Sequence, residues 1–271
     1  MFKGILCPSL KKNIDSPELS MCQNCKKPCM PYPVLKALIS EKEFLPDTFH
    51  VTELTNYPIR MAYLRRKYNY YVSIESLINL AIGTAFHELI ASKKNQCPSY
   101  FSFEESNHFE IQIRNKKVSG TPDLYNSKNK ILYDYKVVRV SEAERLLTNI
   151  KDSLYIYQLN AYRVYKFPDA KQLILNLIIK DFTLSTPFIT KVNFPIIPVS
   201  VPLLNPKIIK NFIESKVDQL SFLLDNPKAE CPLCTIEERW NGKRCSFYCD
   251  VHMFCKKEGK KQWEGVAKAE D

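Results

Sequence analysis

The chain has 271 residues, 45% of them hydrophobic and 25% charged, and carries a formal net charge of +10. That length supports one sizeable core with appendages or two small domains, and with only 6 glycines the composition excludes a collagen-like or low-complexity chain. The basic balance suits a polyanionic partner, of which nucleic acid is the commonest, although a lysine-rich solvated surface carries the same signature.

Three zones follow one another. Residues 1–48 are rich in Cys and Pro, with a short predicted helix from Pro33 to Glu43. Residues 49–225 read as the globular core. Residues 226–271 are again Cys-rich and end in a charged tail. Within the core, Thr52 to about Tyr68 is a predicted helix with Pro58 early in it. Ser73 can cap a helix to about Ser92, with Ile74, Leu77, Ile78, Ala81 and Ile82 on one stripe. The period then changes to two: Phe109, Ile111 and Ile113 alternate with Glu110, Gln112 and Arg114, predicting a half-buried strand. Asn115-Lys116-Lys117 is a turn. Strands follow at Val118–Tyr125 and Lys130–Val138, joined by a polar turn. A long helix from Ser141 to Tyr165, an apolar strand from Leu173 to Ile179 and a helix from Asn205 to about Leu224 complete the pattern. This order predicts an α/β protein with a mixed central sheet flanked by helices. No run reaches the ~18 uninterrupted apolar residues of a membrane span. The opening Met1-Phe2-Lys3-Gly4-Ile5-Leu6-Cys7 is too short and polar for a signal peptide. The expectation is therefore a cytoplasmic protein with no membrane partner.

Asp123, in Gly120-Thr121-Pro122-Asp123, falls early on one predicted strand. Asp134 and Lys136 fall inside the next, and period two puts them on one face. An acid and an amine buried in a sheet cost several kcal/mol (roughly) unless paired or metal-bound. Two carboxylates from adjacent strands are hard oxygen ligands suited to Mg²⁺ or Mn²⁺. A lysine beside such an ion can stabilise the charge that develops in phosphodiester hydrolysis. A structural Asp–Lys pair on an exposed strand face is the plain alternative for this tripeptide alone.

The succession Gly83-Thr84-Ala85-Phe86-His87, Gly120-Thr121-Pro122-Asp123, Asp134-Tyr135-Lys136 and Gln158-Leu159-Asn160-Ala161-Tyr162 resembles the RecB-like branch of the PD-(D/E)XK nucleases. That branch includes the nuclease domains of RecB and AddB and the RecB-like nucleases of CRISPR adaptation modules. The resemblance implies a restriction-endonuclease-like fold and a metal-dependent DNA nuclease. The nuclease would be end- or single-strand-directed and serve recombination, repair, phage replication or CRISPR adaptation. It further implies His87, Asp123 and Asp134 as metal ligands, the Tyr135 carbonyl as a further one, and Lys136 as the catalytic lysine. Gln158 and Tyr162, at i and i+4 on one helix face, would line the site and contact DNA, although Tyr155, Tyr162 and Tyr165 also read as core aromatics. The stretch Thr52–Leu64 resembles the branch's opening helix, with Arg60, Tyr63 and Lys67 on one face and Arg65 and Arg66 close by, a combination that suits phosphates and unstacked bases.

Nine of the 10 cysteines gather in two sets. In a reducing compartment these predict metal binding rather than disulfides, and Cys97 is a plain thiol. The sets are Cys7, Cys22, Cys25 and Cys29, and Cys231, Cys234, Cys245, Cys249 and Cys255. Many members of the branch hold a [4Fe-4S] cluster with one cysteine before the core and three after it. Here Tyr57 stands at the expected first position. Two accounts stay open. One is a cluster on an N-terminal cysteine with Cys245, Cys249 and Cys255. The other is one or two Zn²⁺ sites, on Cys7/Cys22/Cys25/Cys29 and Cys231/Cys234/Cys245/Cys249. The competing functions are a non-catalytic Cys-rich nucleic-acid-binding adaptor and an RNA-binding zinc protein.

Overall fold

The computed structural model describes residues 2–39 and 47–258; residues 40–43 of the first predicted helix and the tail from 259 lie outside the described residues. The chain divides into two compact units. One comprises Asp47–Asn56 and Ile82–Val217, and the other Met1–Pro46, Tyr57–Ala81 and Asp218–Asp271. The second unit thus draws on the first sequence zone, the last one and part of the predicted core.

The first unit is built on a five-stranded mixed sheet in the order Ile196–Val201, Gln172–Ile179, Ile131–Val138, Leu124–Asn126, Phe101–Phe103. Gln172–Ile179 and Ile131–Val138 pair in parallel, and the other pairs are antiparallel. Leu173, Leu175 and Leu177 are fully buried, as the near-continuous apolar run of a central strand requires. The helix Tyr155–Tyr165 packs against these two strands, and its Leu159 and Ala161 are fully buried. A second sheet joins Thr48–His50 in parallel, and Phe109–Ile113 antiparallel, to Lys116–Gly120.

The other unit carries a three-stranded sheet, Lys12–Asp15, Phe2–Cys7 and Tyr70–Ser73. A nine-residue 3-10 helix, Ser16–Asn24, follows its hairpin. Ile5, Ile14, Leu19, Leu35, Ile74 and Leu77 form the core here, with Cys7 among them. The molecule is therefore a mixed α/β protein with several mixed sheets flanked by helices.

Three predicted elements are interrupted, each for a local reason. The Thr52–Tyr68 helix is two helices, Val51–Asn56 and Ile59–Lys67, because Pro58 lacks a donor and disfavours helical geometry at Tyr57. The Val118–Tyr125 strand is two, Lys116–Gly120 and Leu124–Asn126, in different sheets. The crossing Thr121-Pro122-Asp123 is pinned by Asn107, whose Nδ2 donates to the Ser102 and Pro122 carbonyls at 2.9 and 3.1 Å. Asp123 therefore sits in a break between strands, not early on one. The Ser141–Tyr165 helix breaks at Asn149 (φ −149°, ψ 77°) into Val140–Thr148, a 3-10 turn and Tyr155–Tyr165. The last helix, Pro206–Asp225, starts where Asn205 predicts, with Asn205 Oδ1 accepting from Lys207 N at 2.9 Å. The N-terminal hairpin and the Ile196–Val201 strand have no counterpart among the predicted elements.

The stretch Ile74–Gln96 is, among the described residues, the one long and apolar enough by length and composition to cross a membrane, with mean hydropathy 1.2 over 18 residues. Glu75, His87 and Glu88 interrupt it, so a count of uninterrupted apolar residues passes over it.

Candidate active site

His87 comes from the Ile74–Ala91 helix, Asp123 from the break between strands, and Asp134 and Lys136 from one face of the Ile131–Val138 strand. The structure adds Glu104, which opens the short helix Glu104–Asn107 directly after the Phe101–Phe103 strand. One ligand atom each of His87, Glu104 and Asp123 lies within 4.8 Å of the others. His87 Nδ1 donates to Glu104 Oε1 at 2.7 Å and lies 3.5 Å from Asp123 Oδ1. The hydrogen bond to Glu104 raises the His87 pKa, against an opposing pull from burial and with added help from Asp123. These groups line a shallow cleft with Ile90, Phe103 and Tyr135.

Asp123 is buried, and its Oδ2 accepts from the Tyr135 backbone amide at 2.6 Å. Burial, and then the neighbouring Asp134 charge, push its pKa up to about 7 despite Lys136, His87 and the Tyr135 amide. Asp134 is 1% exposed. Its Oδ1 accepts from Gln158 Nε2 at 3.0 Å, and its Oδ2 lies 2.5 Å from Lys136 Nζ, an ion pair bent away from hydrogen-bond alignment. Burial alone would depress Lys136. The Asp134 and Asp123 carboxylates outweigh it and hold the ammonium above its ordinary value. The same Nζ reaches the Tyr135 carbonyl at 3.4 Å and lies 5.6 Å from the centre of the Tyr155 ring.

Gln158 organises the floor of the site. Its Nε2 donates to Asp134 and, at 3.2 Å, to the Tyr162 hydroxyl, while its Oε1 accepts from Asn56 Nδ2 at 2.9 Å. Gln158 and Tyr162 are both buried, so they hold the acidic residues from behind. Burial, and then the Asp134 charge, hold the Tyr162 phenol well above its ordinary value.

The structure thus brings His87 and Asp123 together, with Asp134 and Lys136 reached through the Tyr135 amide. Asp134 is not part of the tight three-ligand group; among the described residues Glu104 takes that place. Glu104 and Asn56 escaped the sequence reading. The available signal for Glu104 was a carboxylate placed immediately after the apolar Phe101-Ser102-Phe103. Asn56 carried none, since its role depends on Pro58 ending the first helix.

Of the opening-helix cations, Lys67 is exposed, but Arg60 and Arg65 are turned to protein partners. Arg60 is 4% exposed; its Nε donates to Cys255 Sγ at 3.0 Å and its other nitrogens to the Cys231 and Cys255 carbonyls. Tyr63 is buried. Arg65 is held by both Asp250 oxygens, at 2.9 and 2.7 Å, with its guanidinium 4.2 Å over the Tyr57 ring.

In the same unit as Arg60, the sulfur-bearing residues Cys234, Cys245, Cys249 and Cys255 line one partly open cavity of about 30 Å³, together with Arg60, Arg239 and Arg244. The cavity members differ from both sets drawn from sequence. Cys255 stands where the zinc account has Cys231, and Cys234 where the cluster account has an N-terminal cysteine. Burial pushes Cys234 up to about 12 and Cys249 up to about 11, with the neighbouring cysteines adding to the rise. Arg244 stacks over Trp240 at 4.1 Å, while its buried Nε has no hydrogen-bond acceptor among the described residues.

No known family model and no curated protein matches this chain. Among solved structures it is similar to the chain in the crystal structure of SSO0001, with 16% identity and a TM-score of 0.51 over 82% of this chain and 93% of that one. At that identity the likeness bears on fold alone.

Proposed function

We propose that the chain is a metal-dependent DNA nuclease with a restriction-endonuclease-like core. The observation that carries this is the convergence of His87, Glu104 and Asp123 within 4.8 Å beside the Asp134–Lys136 pair. Two carboxylates and an imidazole fit a divalent ion, with the nitrogen favouring Mn²⁺ over Mg²⁺. An ion bound there would polarise a phosphate and activate water. Lys136, kept protonated by two carboxylates, places a fixed positive charge against the developing negative charge of a phosphate. Gln158 fixes Asp134 and so fixes Lys136. Asp123 must lose its proton to bind a cation, and its pKa of about 7 makes that loss available near neutrality. The +10 net charge would draw the polyanionic substrate.

The Cys234/Cys245/Cys249/Cys255 cavity fits a [4Fe-4S] cluster better than one zinc ion. A tetrahedral zinc site brings its four sulfurs to within about 4 Å of one another. Among the described residues no three cysteine sulfurs lie within 4.8 Å of one another, and Cys255 is buried and held by Arg60 Nε, so this set is not free to close on one small ion. The buried Arg60, Arg239 and Arg244 around it suit an anionic thiolate-bound group.

The test is incubation of the purified protein with labelled single-stranded and duplex-end DNA in Mg²⁺, Mn²⁺ or EDTA. Cleavage is expected with metal, none in EDTA, and none in Lys136→Ala or Asp123→Ala. Wild-type protein that binds DNA in Mn²⁺ without cutting it would leave the adaptor reading standing instead. A brown preparation with broad visible absorption, lost in Cys245→Ser, is expected for the cysteine cavity.

A further inference from the structure

We propose that Cys7, Cys22, Cys25 and Cys29 form a separate four-thiolate site for one zinc ion. The nuclease reading does not use these residues. Cys7 ends the Phe2–Cys7 strand and is buried. The hairpin turn after it brings the Leu10 amide back onto Cys7 Sγ at 3.4 Å. An amide donated to a sulfur is the kind of outer contact that orients a metal-binding thiolate and offsets its charge. The hairpin and the 3-10 helix then return the chain to the same place. Cys22 lies near the helix C-terminus and packs against the core that contains Cys7. Cys25 caps that helix, its amide donating to the Cys22 carbonyl at 3.4 Å, and Cys29 follows in an exposed loop. The Cys25, Cys7 and Cys29 sulfurs all lie within electrostatic reach of Cys22.

Two further features favour an ion here. A 3-10 helix of nine residues is well beyond the usual run of about 3–4, and a ligand set at its end would hold that geometry. Lys26 and Lys27 stand between Cys25 and Cys29, where cations balance the negative charge of four thiolates around one Zn²⁺. Zinc rather than a cluster suits this end because Cys29 is exposed and Cys22 and Cys25 are half-exposed, and redox-inert zinc tolerates solvent. The sulfurs are not drawn up as tightly as the His87–Glu104–Asp123 group. Binding therefore moves Cys25 and Cys29, which lie at the end of a helix and in a loop, toward Cys7 and Cys22.

The experiment is elemental analysis and zinc X-ray absorption on the intact chain, independent of any DNA cleavage. Wild-type protein is expected to carry one zinc per chain with four sulfurs at about 2.3 Å. Cys29→Ser and Cys22→Ser/Cys25→Ser should lose that zinc and keep their iron, and Cys97→Ser should keep both. Wild-type protein without zinc, zinc bound by nitrogen and oxygen, or loss of iron instead of zinc in Cys29→Ser would overturn the proposal. Cys29 is exposed, so Cys29→Ser assigns the zinc to this end even if Cys22→Ser/Cys25→Ser fails to fold.

Discussion

Glu104 is the residue on which the chemistry of the cleft turns. It both orients His87 through Nδ1 and offers an oxygen to the same small volume as Asp123. Glu104→Gln keeps the shape and removes the charge. It should raise the Mn²⁺ concentration for half-maximal cleavage by about tenfold or more, read by metal titration. An unchanged titration would show that Glu104 is only a neighbour. Two titrations at this cleft act in the same direction in metal-free protein. Asp123 has a folded pKa near 7, above its ordinary 3.8, so the folded state holds a proton that the unfolded chain releases between those values. Stability then falls as pH rises through that interval. His87, with a raised pKa, contributes stability that is present below the unfolded value and lost as pH rises through the folded one. Carboxylates with lowered values, such as Asp15, Asp47 and Asp169, give the opposite slope only at more acid pH. In EDTA the melting temperature is therefore expected to decline as pH rises from about 4 to 7. Asp123→Asn should flatten that decline.

Among the elements, the Lys116–Gly120 strand leaves no room for a side chain at its last residue. Gly120 pairs with Phe109 across the sheet, and a Cβ there would lie 2.7 Å from the Phe109 ring and 2.9 Å from the Tyr162 ring. Neither ring is free to withdraw, since both are buried. Gly120→Ala should cost about 1–3 kcal/mol in a denaturant melt, the usual range for overpacking. It should also slow cleavage, because Tyr162 is bonded to Gln158 and Gln158 to Asp134. Adding Phe109→Leu should restore much of the stability by making room. What the sequence made legible follows the same logic of local against non-local causes. Period two placed Asp134 and Lys136 on one face, and i, i+4 spacing placed Gln158 over Tyr162, because both rules act within one element. The breaks at Pro58 and Pro122 were written in the chain as prolines, yet the Gly120-Thr121-Pro122-Asp123 run still read as a continuous strand. Only the sheet assignment parts Gly120 from Leu124. Glu104 was illegible because its meaning lies in His87, 17 residues away. Arg60 and Arg65 misled because helical spacing cannot tell a face turned to solvent from one turned to buried cysteines and to Asp250.

At the scale of the whole molecule, the candidate active site and the cysteine cavity belong to different compact units. Cys234, Cys245, Cys249 and Cys255 all come from the chain after residue 230, where the elements are helices of four to seven residues. Such helices are too short to be stable alone, so a bound group would supply much of the order there. Arg60 ties the same segment to the Ile59–Lys67 helix through Cys231 and Cys255. Removing a cavity ligand should therefore act on stability and colour first. Cys249→Ser should lose visible absorption and lower the melting temperature by several degrees, roughly the shift that 1–2 kcal/mol produces in a chain of this size. Asp123→Ala should abolish cleavage and leave the absorption spectrum intact. The asymmetry is the informative part. If Asp123→Ala bleached the cavity, or if Cys249→Ser changed the metal dependence of cleavage while keeping its colour, the two sites would be one chemical centre. With separate units, each variant should move one readout and spare the other.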